Sequence, residues 1–310
     1  MWRYTLKRLL QGLITVWFIA TATFAAMHLV PGDPLASDKA VSAEIRANLE
    51  AKYGLNEPVW TQYTIYLGNL ARGDFGISYT QKNRLVNDII REHFPVSATL
   101  GILAVLFAGI GGVIWGALTA LYRDRLPDII IMFLVILGIS VPSFVVAALG
   151  QLTLVNLNNL VGFNLLPVGG WGTVAHMLVP SMVLGLSTMA YLTRLMRSSM
   201  LEIIHSDFVR TAKAKGIPPA RIFTQHQLRN AVLPVITVLG PAIAAITTGG
   251  FVVELVFAIP GLGRYFVEAV QQLDYTVIMG TTVFYGAFLV FMVIAVDVIY
   301  GFIDPRVRLE

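Results

Sequence analysis

The residues of this 310-residue sequence that could do chemistry are few and far apart. There are no cysteines, which excludes disulfides, thiolate metal sites and cysteine nucleophiles. The five histidines are scattered, and none has a second ligand type at helical spacing in a metal-binding arrangement. The sequence also lacks a phosphate-binding GxxxxGK[ST] loop, a GxSxG or HExxH motif and a clustered carboxylate pair. We therefore expect no catalytic, metal or cofactor site in this chain, and nucleotide hydrolysis would require another chain.

Two carboxylates, Glu254 and Asp297, lie within strongly apolar segments. Burying a carboxylate in a membrane is costly, so such residues are functional candidates by default. One hypothesis is a self-contained secondary transporter or channel that uses both groups for proton coupling. Because both lie close to the end of an apolar segment, structural pairing or contact with water explains them equally well.

The elements that must position these residues are long apolar helices. The sequence is 56% hydrophobic and 13% charged, with a mean hydropathy of +0.72. Since a helix needs about 20 apolar residues to cross the hydrocarbon, the charge-free runs predict an all-α integral membrane protein with six spans. We expect them near 9–30, 96–121, 129–154, 174–193, 232–253 and 278–302.

Charge distribution predicts the orientation. Seven of the 22 Lys and Arg residues lie between 194 and 229, and both ends of the chain are basic. Because short cytoplasmic loops are enriched in Lys and Arg, both termini are predicted to be cytoplasmic. By the same reasoning, the excess of basic residues reflects the cytoplasmic loops of a membrane protein and does not indicate binding to nucleic acid. The first apolar run exceeds the length of a cleavable signal and is interpreted as a retained anchor.

A helical segment is expected outside the membrane after the first span. The run 42–54 has a helical start and stop, and Trp60, Tyr63, Leu67 and Leu70 continue a helical spacing up to a glycine. These positions are interpreted as packing faces of a small extracytoplasmic cap.

Two spans contain residues that could open and close a pathway. They carry GISVPS at 138–143 and GPAIAAITTGG at 240–250. A proline in a membrane helix frees a backbone carbonyl, and small residues permit close helix packing instead, so both interpretations remain open. The candidate pathway residues are Ser140, Pro142, Ser143, Pro241, Thr247 and Thr248.

The basic stretch DFVRTAKAKGIPPARIFTQHQLRNAVLPV, residues 207–235, interrupts the apolar pattern. Asp207 is predicted to cap a short helix over 208–215, Gly216 to end it in a left-handed conformation, and Pro219 to begin the next helix. Such a rigid projection is typical of docking to another protein, and an amphipathic helix on anionic lipid is the alternative.

Several runs together resemble one family. RTAKAKG and RNAVLPV in the basic stretch are similar to the cytoplasmic EAA loop of ABC-importer permeases, in the form of the peptide-importer subfamily. The resemblance covers nearly the whole chain, which looks most like the first permease subunit of an oligopeptide importer. Its motifs are VPGDP at 30–34, EAKYGLNEPVWTQY at 50–63, LARGDFG at 70–76, RSSMLEI at 197–203, VVELVFAIPGLG at 252–263 and DVIYGFIDPRVR at 297–308.

This resemblance implies a type I permease fold and a coupling helix that fits a groove on an ATPase. Arg210, Thr211 and Ala212 occupy the EAA positions, and Gly216 occupies the glycine position. Arg210 departs from the general motif, which has Glu there, so an ionic contact of that Glu is not expected here. The implied coupling-loop residues are Phe208, Arg210, Thr211, Ala212, Lys213 and Gly216.

The resemblance also implies a function and partners. The chain would be a non-catalytic permease subunit in a bacterial inner membrane, paired with a second homologous permease. Two cytoplasmic ATPase subunits would bind ATP and Mg, and an extracytoplasmic protein would deliver peptide. Dipeptides, glutathione and nickel complexes remain alternative cargoes. We expect an N-terminal part over 1–93, a permease domain over 94–302 with its coupling loop at 194–230, and a tail over 303–310.

Overall fold

A computed structural model describes residues 2–29, 56–81 and 84–303. The VPGDP motif at 30–34, the predicted helix over 42–54 and the tail beyond Ile303 lie outside these residues. Within them the chain is helical, apart from turns and one isolated antiparallel bridge between Ile77 and Leu85.

Long and short helices follow one another along the chain. They are α1 (Trp2–Leu29), α2 (Val59–Ala71), α3 (Val86–Leu121), α4 (Leu126–Ser140), α5 (Ser143–Val161), α6 (Val174–Ile204), α7 (Asp207–Ala214), α8 (Pro219–Arg221), a π-helical segment (Ile222–Leu228), α9 (Arg229–Ala231), α10 (Leu233–Gly249), α11 (Phe251–Val256), α12 (Leu262–Gln272) and α13 (Tyr275–Ile303).

Six spans are consistent with these lengths and compositions. Among the described residues α1, α3, α5, α6 and α13 are each long and apolar enough to cross a membrane. A sixth span results if the stretch from Pro219 to Ala231 and α10, which meet at 44°, are counted together. Large apolar side chains such as Leu13 and Phe18 are 69% and 64% exposed. Such exposure is costly in water but ordinary in lipid, and the predicted all-α membrane fold is confirmed.

The predicted continuous helix over 129–154 is wrong. α4 ends at Ser140, and Val141 is extended, with φ −86° and ψ 126°. A proline disfavours the helical conformation of the residue before it, so Pro142 interrupts the helix completely where the sequence suggested a kink. α5 then continues to Val161, and only Gly162 ends it.

Other helices are longer than their apolar runs. α3 begins ten residues before the predicted start of its span, α6 continues to Ile204, and α13 begins at Tyr275. At 1.5 Å per residue α6 is about 46 Å long, against about 30 Å of hydrocarbon. Charged residues end a membrane span without ending the helix, so the apolar run marks only the part within lipid.

The chain forms two compact units. The first comprises the described residues up to Ser97 and those from Pro260 onward. In it α1 packs along α13, where a Cβ on Gly12 would lie 2.7 Å from Val290 and one on Gly286 would lie 2.7 Å from Ile19. The two helices therefore approach as closely as glycine allows.

The second unit runs from Ala98 to Ile259. Its α3 and α6 are also in close contact, since a Cβ on Gly112 would lie 2.6 Å from Leu192 and one on Gly185 2.5 Å from the Ala104 carbonyl oxygen. An apolar core surrounds this contact and reaches α9 and α10. Its buried members are Ala108, Ala117, Ala120, Leu192, Met196, Met200, Ala231 and Val235.

Candidate partner-docking site

The helix α7 begins with a backbone cap. The predicted cap, Asp207, is the first helical residue, and Ser206 occupies the cap position instead. The Ser206 carbonyl accepts from the N–H groups of Val209 and Arg210, both at 3.2 Å. Its hydroxyl donates to the Ile203 carbonyl at 2.7 Å, and no side chain caps α7.

The end of α7 matches the prediction. Gly216 has φ +68°, in the left-handed region. Gly216 N–H donates to the Lys213 carbonyl at 3.0 Å, and Ile217 N–H donates to the Ala212 carbonyl at 3.3 Å. This pair of bonds is the Schellman motif, which closes a helix through a left-handed residue. Nothing lies within 4 Å of a Cβ built there, so the requirement for glycine comes from the backbone and not from space.

Apolar contacts attach α7 to the residues that precede it and to those that follow it. Val209 is fully buried, and Ala212 and Ile222 are 4% and 3% exposed. Ile203 from α6 and Ile217 pack against them. α7 is therefore fixed by its own flanking segments.

The opposite face of α7 is polar and exposed. The Arg210 side chain is 74% exposed and lies 3.5 Å from Asp207, a contact worth little in water. The Phe208 ring is 44% exposed beside these polar groups, and Lys213 is also exposed. The Thr211 hydroxyl donates to the Asp207 carbonyl. Of the six candidate coupling residues, only Ala212 points inward.

A cleft beside α7 was not predicted from the sequence. It has a volume of about 580 Å³, and its walls include Lys213 and the end of α3. The π-helical segment forms another wall, and π-helices are rare. The lining residues are Leu121, Lys213, Ile217, Pro219, Ala220, Ile222, Phe223 and Gln227.

The candidate pathway residues divide into two groups. Ser140, Pro142 and Ser143 are exposed at the break between α4 and α5. Thr247 is 3% exposed, and a Cβ on Gly101 would lie 2.7 Å from its hydroxyl, so α3 and α10 are in close contact at this position.

The other two pathway candidates lie on the same helix, α10. Thr248 donates to the Ala244 carbonyl at 2.8 Å, and Pro241 is an exposed residue inside the helix.

The two membrane carboxylates lie on different elements. Glu254 is 2% exposed within α11. Asp297 lies within α13, and its side chain is outside the part of the structure that is described. No group of three or more potential metal ligands occurs among the described residues.

Comparison with known proteins assigns the family. Residues 112–309 match the family of binding-protein-dependent transport system inner membrane components, and residues 1–101 match the N-terminal part of such membrane components. The chain belongs to this permease family. It is 44% identical to the dipeptide transport system permease protein DppB of Bacillus subtilis, over 99% of this chain and 98% of that protein. It is 43% identical to the oligopeptide transport system permease protein OppB of Haemophilus influenzae, and 40% to OppB of Salmonella typhimurium, over 99% of this chain and all of each relative.

Two further polar centres of this permease were not predicted. Asp128 binds Arg197 with both carboxylate oxygens, and Asp274 accepts several hydrogen bonds at the start of α13. A carboxylate at the edge of an apolar run was the available signal for both. Each looked like an ordinary span boundary, because the partners are distant in sequence.

Proposed function

We propose that the chain is the transmembrane permease subunit of an ATP-driven, binding-protein-dependent importer of peptides. It forms half of the translocation pathway and docks to an ATPase through α7. The relatives that are 40–44% identical over nearly the whole chain are named as permeases of dipeptide or oligopeptide transport systems, which supports a peptide cargo.

The observation that carries this proposal is the geometry of α7. A helix of eight residues is too short to be stable alone, yet this one is fixed by buried Val209 and Ala212 and closed by Gly216. Its free face carries an aromatic ring and two cations. Exposed aromatic and arginine side chains on a rigid support are typical of binding hot spots. Because Arg210 stands where the general motif has Glu, we expect an acidic lining in the ATPase groove.

The division of labour follows from this role. The permease contributes no covalent chemistry, and ATP and Mg bind to the two ATPase subunits. A second, homologous permease supplies the other half of the pathway, and an extracytoplasmic binding protein delivers peptide. The break between α4 and α5 faces the pathway in this proposal, because irregular backbone at membrane depth requires water or protein around it.

In this proposal the spans lie in the inner membrane of a bacterial cell. Both termini and α7 face its cytoplasm. The basic residues between 194 and 229 support this orientation, since short loops rich in Lys and Arg stay on the cytoplasmic side. α2 and its neighbours then lie outside.

Single cysteines test docking and orientation together, since the natural chain has none. In the assembled complex, a thiol-reactive cross-linker should join Phe208→Cys to the ATPase subunit. In intact cells or spheroplasts, Phe208→Cys should not react with an impermeant thiol reagent. Arg72→Cys, at the exposed end of α2, should react with that reagent and form no cross-link. Reaction of Phe208→Cys from outside would contradict the orientation. A complex that imports peptide while Phe208→Cys forms no cross-link would contradict docking through α7.

A further inference from the structure

A two-pronged ion pair joins the start of α4 to α6. Arg197 Nε donates to Asp128 Oδ1 at 2.9 Å, and Arg197 Nη2 donates to Asp128 Oδ2 at 2.8 Å. The Asp128 side chain is 5% exposed and that of Arg197 is 24% exposed. A guanidinium that meets both carboxylate oxygens fixes the relative rotation of its partners, which a lysine ammonium cannot do.

The same carboxylate orders the turn between α3 and α4. Asp124 N–H donates to Asp128 Oδ2 at 3.0 Å, and Asp124 has φ +61°. Asp128 lies in the first turn of α4, where a negative charge is favoured by the helix dipole. One side chain thus fixes the turn, the start of α4 and its contact with α6.

The rest of α4 is apolar and packs mainly on one helix. Its main neighbour among the described helices is α6, and a Cβ on Gly138 would lie 3.2 Å from Ala190 near the far end of α4. Much of its remaining surface is apolar and exposed. These exposed residues include Ile129, Ile130, Phe133, Leu134 and Ile136. The ion pair therefore fixes the start of α4 to α6, and Gly138 is one point of the apolar contact that continues toward the break.

The position of the pair connects two functional elements. Arg197 lies about two helical turns before the end of α6 at Ile204, and α7 begins at Asp207. α4 runs from Asp128 to the break at Ser140. We infer that Asp128 and Arg197 are positioning residues that transmit movement of α7, through α6 and α4, to the break between α4 and α5. This inference rests on the proposed function, in which the ATPase moves α7.

Substitutions that keep the fold but weaken the pair test this inference. Arg197→Lys keeps the charge and loses the fork, and Asp128→Asn removes the charge at nearly constant shape. Asp124→Asn is the matched control. It removes a carboxylate that is 80% exposed from the same turn, and Asn tolerates positive φ. The complex is purified and reconstituted, and we measure ATPase co-purification, peptide-stimulated ATP hydrolysis and peptide imported per ATP hydrolysed.

We expect all three variants to assemble and to hydrolyse ATP. Peptide imported per ATP should fall about fivefold in Arg197→Lys, within the range of single-residue coupling effects, and at least as far in Asp128→Asn. The control should match the unmodified complex.

Two results would overturn the inference. One is an unchanged ratio of peptide to ATP in both variants of assembled complex. The other is loss of assembly in both, which would assign the pair to stability alone. A failure of the proposed function is distinguishable, because the ATPase would then not co-purify with the unmodified permease.

Discussion

The helices α7 and α13 are capped at their starts in different ways. Ser206 precedes α7 and turns its hydroxyl away to the Ile203 carbonyl, so α7 has no side-chain cap. Asp274 precedes α13, is 1% exposed and accepts from Val277 N–H at 3.3 Å, as a capping carboxylate does.

Asp274 also accepts hydrogen bonds from a second segment, residues 78–80. Tyr79 N–H, Thr80 N–H and the Thr80 hydroxyl donate to its carboxylate at 3.2, 3.2 and 2.9 Å, and the Ser78 hydroxyl donates as well. Burial raises the pKa of the neighbouring Tyr79 phenol. A buried charge that is fully hydrogen-bonded fixes its surroundings, whereas α7, anchored by apolar contacts, keeps its polar face available for a partner.

The largest effect should come from breaking the polar anchor. Asp274→Ala leaves several buried donors without an acceptor, which we expect to cost about 3–5 kcal/mol. The thermal midpoint of the purified complex should fall by many degrees, and the yield should fall with it. Asp274→Asn keeps one acceptor oxygen and should lose less.

Glu268→Gln is the control for that substitution, because the Glu268 side chain is 34% exposed and pairs with Arg264 one turn away. Its midpoint should stay near that of the unmodified complex. An unchanged midpoint in Asp274→Ala would show that the anchor is dispensable.

A smaller cost in stability should follow from a side chain at the closing residue of α7. Gly216→Val forces a β-branched residue into the left-handed region, at about 1–2 kcal/mol. The permease should remain inserted and paired with its partner permease. Peptide uptake and stimulation of ATP hydrolysis should nevertheless collapse, because the strain tilts the docking face.

Gly162→Val is a matched control for Gly216→Val. Gly162 ends α5 with φ +80°, and nothing lies within 4 Å of a Cβ built there, so its backbone strain is similar. Uptake should therefore survive in Gly162→Val. Equal losses of uptake in both variants would remove the special role of Gly216.

The smallest effect should come from Ser206→Ala. A serine that caps a helix with its side chain contributes about 1 kcal/mol, but Ser206 does not cap α7 in this way. We expect a change within about 0.5 kcal/mol and normal uptake. A loss of about 1 kcal/mol or more, measured as a shift of the thermal midpoint, would show that the hydroxyl stabilises α7 after all.

Local backbone conformation was predictable from the sequence where a single residue determines it. The left-handed Gly216 and the helix start at Pro219 both follow from backbone geometry, and both are confirmed. The break at Pro142 was not predicted, although the proline was noted, because whether a proline bends or ends a membrane helix depends on the neighbours that satisfy the freed groups.

Contacts between distant residues were not predictable. Asp128 meets Arg197 69 positions away, and Asp274 meets Thr80 194 positions away. Neither pair has a local pattern, since tertiary packing alone brings the two residues together. The roles of the coupling and pathway residues remain predictions for the same reason, because they depend on partner chains.

The packing of α1 against α13 has a consequence for biosynthesis. Gly12 meets Val290 and Gly286 meets Ile19, so α1 binds a helix that is synthesised much later. At about 5–20 residues per second, α1 spends roughly 15–55 s in the bilayer before this neighbour is made. Because the surface of α1 is apolar, contact with lipid during this interval does not destabilise it. The unit built on α1 and α13 is therefore completed only after α13 has been synthesised, and a ribosome that stalls before Gly286 leaves a permease with an incomplete first unit.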